Sequence, residues 1–85
     1  MHQQATRSPT QREDEQIEGV VLSSVLIEHP TLLTFGDLVM ELDHHSEDAV
    51  GNAVRRLVAV GLLRREGGSV LATRAALAFE RLEAL

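Results

Sequence analysis

Apolar residues recur at helical spacing in several stretches of the chain. Ile17, Val21 and Val25, with Val20, Leu22 and Leu26 beside them, make the first stripe. Glu13, Asp14 and Glu15 stand just before it, where carboxylates suit the positive end of a helix dipole. The pattern predicts a helix from about Glu13 that stops before Pro30, because the residue preceding a proline avoids helical geometry. Thr31-Leu32-Leu33 reads as a short extended piece. Thr34 then has the character of an N-cap, with Asp37 three residues later as a shorter form of the capping-box acid. Phe35, Leu38, Val39 and Leu42 supply the apolar face of a second, short helix. Asp43-His44-His45 reads as a turn. Ser46 is the next N-cap, with Glu47 and Asp48 in the first turn, and Val50, Ala53, Val54, Leu57 and Val58 keep helical spacing behind it. Gly61 ends this third helix, since glycine accepts the left-handed conformation found there.

After Gly61 the period shortens. Leu62 to Arg65 and Ser69 to Ala72 are strand-like runs flanking Gly67-Gly68, a hairpin signal. Thr73 can cap a last helix from Arg74 to Leu85, with Leu77, Ala78, Leu82 and Leu85 apolar. The expected order is helix, short strand, helix, helix, strand, strand, helix. That is a mainly α fold with a small β-hairpin. Residues 1–12 are polar, carry Pro9 and show no periodic apolar pattern. They are expected to form a disordered tail; a groove-reaching arm through Arg7 and Arg12 is the minor alternative. The folded domain is then 13–85.

Composition narrows the function classes. A single domain of 85 residues has a thin core, which makes a homodimer through the terminal helices a reading to carry. The chain has no cysteine, so disulfides and thiolate metal sites are excluded. His44 and His45 are adjacent in a turn and do not form a spaced ligand set. No apolar run approaches the roughly 20 residues of a membrane-spanning helix, and the N-terminus lacks an apolar signal core. The expected location is the cytoplasm, with no cofactor. Ser23, Ser24, Ser46 and Ser69 have no nucleophile–base constellation around them, so no enzyme is expected.

Net charge is −5, yet the charges are segregated. From Glu13 to Asp48 there are ten acidic residues and no Arg or Lys. From Gly51 to Ala75 there are five arginines, Arg55, Arg56, Arg64, Arg65 and Arg74, against the single acid Glu66. A local basic surface can meet phosphate on an acidic protein, although long-range steering is weaker.

Two segments carry a resemblance. One is His29-Pro30-Thr31-Leu32-Leu33-Thr34-Phe35-Gly36-Asp37-Leu38. The other runs from Ala53 through Arg55-Arg56-Leu57 and Gly61-Leu62-Leu63-Arg64-Arg65 to Gly67-Gly68. Together they resemble the winged helix-turn-helix domain of small bacterial transcription regulators of the MarR and PadR kind, over about residues 14 to 85. The resemblance implies that a recognition helix over 46–60 enters the major groove of double-stranded DNA and that a wing over 62–73 lies beside it. By position it implies Ala49, Gly51, Asn52 and Arg55 on the exposed face of that helix, beside Asp48. Arg64, Arg65 and Arg74 would flank the wing turn Gly67-Gly68. Arg56 lies nearer the buried stripe and is expected to pair with an acid of the preceding helix, such as Glu41 or Asp43.

The sequence departs from that pattern at Glu47 and Asp48, whose carboxylates repel phosphate at the end of the helix that ordinarily approaches DNA. A second reading therefore stands beside the first: the same fold used for protein–protein contact or dimerisation without DNA. The charge of the recognition-helix and wing face separates the two.

Overall fold

The computed structural model describes residues 9–83, and the side chains of 11–82. Its elements are α1 (Pro9–Glu28), β1 (Leu33–Thr34), α2 (Phe35–Glu41), α3 (Glu47–Ala59), β2 (Leu63–Glu66), β3 (Ser69–Ala72) and α4 (Arg74–Glu83). The order is the expected one, in a mainly helical chain with a small three-stranded antiparallel sheet, β1-β3-β2.

The caps form where the polar residues stand. Thr34 Oγ1 accepts from the Asp37 N–H, and the Asp37 carboxylate accepts from the Thr34 N–H, each at 3.0 Å. The Ser46 hydroxyl accepts from the Ala49 N–H at 3.1 Å. At the far end of α3, Gly61 takes φ +86°. The Gly61 N–H reaches the Val58 carbonyl and the Leu62 N–H reaches the Leu57 carbonyl, at 3.1 and 3.0 Å. These are the two bonds of a Schellman ending. Thr73 then ties α4 to this corner. Its N–H donates to the Leu62 carbonyl, its hydroxyl donates to the Gly61 carbonyl at 2.6 Å, and the same oxygen accepts from the Ala76 N–H.

Several boundaries differ from expectation. The first helix begins at Pro9, not Glu13. Proline suits the opening position because its missing N–H would have no partner inside the helix. Arg12 therefore lies on α1 and is exposed, not in a tail; Arg7 lies outside the described residues. The hairpin loop is Gly67-Gly68 alone, with Glu66 paired to Ser69, so β2 runs one residue later than the spacing suggested. Gly67 has φ +61° and Gly68 is not in the positive region, the φ signature of a II′ turn.

The core gathers Ile17, Val21 and Val25 of α1 and Val50, Ala53, Val54 and Leu57 of α3. Leu33, Leu38, Leu42, Leu63 and Val70 come from the other elements. Val20 and Val58, expected in the stripes, lie at their edges and are about one-third exposed. The last helix departs most. Ala76 is its buried residue, Leu77 is half-buried, and Ala78 and Leu82 face outward. Leu85 lies outside the described residues. Ala75, Ala78, Phe79 and Leu82 form an exposed apolar stripe, with Phe79 57% and Leu82 66% accessible. The cause is that α4 leans on β3 through one short edge, so only the residues in phase with Ala76 are covered. No helix among the described residues is long and apolar enough to cross a membrane.

Candidate nucleic-acid interface

The buried stripe of α3 sets what its other side presents. With Val50, Ala53, Val54 and Leu57 turned inward, Glu47, Asp48, Asn52 and Arg55 are exposed. Ala49 does not join them. It is half-buried and packs against the core, because it stands one residue before Val50 and four before Ala53. Gly51 is half-covered by Phe35. A Cβ built there would lie 3.5 Å from the Phe35 ring and 3.9 Å from the Arg55 guanidinium. Those are ordinary contact distances, so no close approach within the chain demands this glycine.

Phe35 joins the helix to the hairpin. Its N–H donates to the Gly68 carbonyl at 3.1 Å, extending the β1–β3 pairing by one rung. Its ring flanks Gly51, and the Arg65 guanidinium sits 5.6 Å from the ring centroid, within cation–π range. Arg55, one helical turn beyond Gly51, donates to the Asn52 side-chain oxygen. Gly51 and Arg65 thus border Phe35, with Arg55 beside Gly51 and Asn52 bonded to Arg55. The sequence assigned Phe35 only to the apolar face of α2. Nothing local marks its second role, which arises from strand pairing between residues more than thirty positions apart.

The remaining arginines go elsewhere. Side chains alternate along a strand, so Arg64 emerges on the opposite face of β2 from Arg65. Arg64 pairs with Glu66 at 3.2 Å. It also lines an open groove of about 380 Å³ with Ala72, Thr73, Arg74 and Leu77. Arg74 therefore belongs with Arg64, away from the Phe35 cluster.

Arg56 forms the expected ion pair, but with a different helix. It bonds to Glu18, and its second guanidinium nitrogen lies 3.7 Å from Asp14. Glu41 and Asp43 are not its partners, because α3 packs most extensively along α1, which brings the acid-rich start of α1 alongside Arg56. The side chains are partly exposed, so Arg56→Ala is expected to cost about 1 kcal/mol or less. Chemical denaturation of the variant measures this.

The face is mixed in charge: Glu47 and Asp48 at one end, Arg55 and Arg65 at the other, all exposed. Among the described residues, no group of three or more His, Asp or Glu side chains is placed to hold a metal ion. No protein-family model matches the chain, and neither a curated protein nor a solved structure matches it.

Proposed function

We propose that the chain is a winged helix-turn-helix module that binds double-stranded DNA as a transcription regulator, with α3 as the recognition helix and the β2–β3 hairpin as the wing. The observation that carries this reading is that Arg65 lies over the Phe35 ring while Arg55, bonded to Asn52, lies beside Gly51 on the same ring's border. It sets helix-borne and wing-borne donors side by side. Arg56 is withdrawn into its pair with Glu18, and Arg64 is offset by Glu66. Arg55 and Arg65 are then the principal cations that meet the duplex, and electrostatic attraction is modest. This reading assigns the chain no catalytic step.

The test is a salt titration of binding to mixed-sequence duplex DNA. Two cations at the duplex predict a slope of log affinity against log salt no steeper than about −2, since each phosphate neutralised contributes roughly −0.9. The double variant Arg55→Ala, Arg65→Ala should flatten that slope towards zero. Absence of any duplex binding at about 50 mM salt, where phosphate contacts are strongest, would sink the proposal.

A second reading, protein contact or dimerisation, is favoured by two observations. These are the Glu47–Asp48 end of α3 and the exposed stripe Ala75, Ala78, Phe79 and Leu82 on α4. A stable second copy or other protein held through Phe79 and Leu82, with no retention on DNA, would decide for it.

A further inference from the structure

We infer that the Asn52–Arg55 pair selects guanine over adenine, an inference that rests on the DNA-binding reading above. The argument is one of donors and acceptors. Arginine carries only donors, so its bond to Asn52 must end on the amide oxygen, and this fixes which way the amide points. A free asparagine recognises adenine by using both ends: the oxygen accepts from the N6 amine while the nitrogen donates to N7. Here the Arg55 guanidinium takes one of the oxygen's two lone pairs, and an N6 amine reaching for the other would meet that guanidinium, donor against donor. Beside that second lone pair, the pair presents the Asn52 NH2 and the remaining Arg55 N–H groups, so donors predominate.

A surface in which donors predominate fits an edge made only of acceptors. In the major groove that is guanine, with N7 and O6; adenine sets a donor beside its N7 and leaves that donor unmet. The surroundings favour the same choice. Phe35 and the Arg55 guanidinium both border Gly51, and the absent side chain there leaves the space beside that guanidinium open. One turn earlier, Asp48 is exposed on the same side as Asn52. An ionised carboxylate only accepts, and cytosine N4 is the base amine it can meet. The acidic end of α3 and its donor pair therefore point together to G·C-rich duplex.

The experiment is selection of bound duplexes from a randomised pool by the full chain, followed by affinity measurements on single-base substitutions of the selected site. The wild-type chain should enrich guanine at one position and bind the adenine-substituted duplex on the order of tenfold more weakly, the scale of a bidentate base contact. Arg55→Ala frees the Asn52 oxygen and should move the preference at that position to adenine. Asn52→Ala leaves Arg55 alone, which still favours guanine, so guanine should persist. Adenine enrichment by the wild type, or unchanged guanine preference in Arg55→Ala, overturns the inference while leaving DNA binding intact. If Arg55→Ala does not bind, loss of guanine preference in Asn52→Ala overturns it. Failure of the wild-type chain to retain any duplex overturns the DNA-binding reading, and this inference with it.

Discussion

Leu38→Ala is expected to lower the free energy of unfolding by about 2–5 kcal/mol, the range for a leucine truncated in a closed core. Leu38 has no accessible surface and sits where the short helix α2 meets the rest of the core. Helix α2 has only seven residues, too few for a helix that must hold itself together without packing. Losing this anchor removes the buried methyl groups that hold α2 against the core. A domain of this length has roughly 4–13 kcal/mol to lose, at about 0.05–0.15 kcal/mol per residue. A urea melt should show a much lower midpoint with an unchanged slope. Leu82→Ala is the control. The residue is the same, but it is exposed on α4, and the change should stay within about 0.5 kcal/mol. Equal losses at the two positions would mean that α4 is buried in solution and the core is arranged differently.

Gly61→Ala should cost about 1–2 kcal/mol, the penalty an L-residue meets in the left-handed region. Space is not the obstacle, for nothing lies within 4 Å of a Cβ built at this glycine. The cost comes from φ +86° alone. Relaxing it would break the two bonds that close α3 and shift the carbonyl that receives the Thr73 hydroxyl. The same exchange at Gly19 should have the opposite sign. Gly19 is exposed within α1, has open space around it and is not in the positive-φ region. Alanine there should stabilise by about 0.5–1 kcal/mol through its better helix propensity. Thermal melts of the two single variants, moving in opposite directions, check both expectations.

Local chemistry was legible in the sequence where it acts over three or four residues. The caps at Thr34, Ser46 and Thr73, the glycine ending at Gly61 and the Gly67-Gly68 turn all stand as the residue types indicate. Contacts between distant segments were not. The pairing of Arg56 with α1 depends on how two helices pack, whereas nearness in sequence pointed to Glu41 and Asp43. The cluster around Phe35 depends on β1 pairing with β3. The division of Arg64 from Arg65 was legible in principle from strand alternation, but which of the two joined the helix depended on the register. The apolar positions of α4 misled for a physical reason. Periodicity marks a face able to bury itself, and α4 has two such faces with a neighbour for only one.

The adjacent pair Arg55-Arg56 shows how little separates a structural side chain from an outward one. Successive residues on a helix differ by about 100° in direction. Turning α3 about its axis by that angle would aim Arg55 at Glu18 and free Arg56, an exchange between chemically identical groups with nothing in their charge to forbid it. What forbids it lies on the opposite side of the helix. Val50, Ala53, Val54 and Leu57 form a wedge of methyl groups that seats in only one rotational setting. The electrostatic outline of this face is therefore selected by hydrocarbon buried on the other side of the helix. A core substitution that re-seats α3 would change that outline without altering a single charged residue.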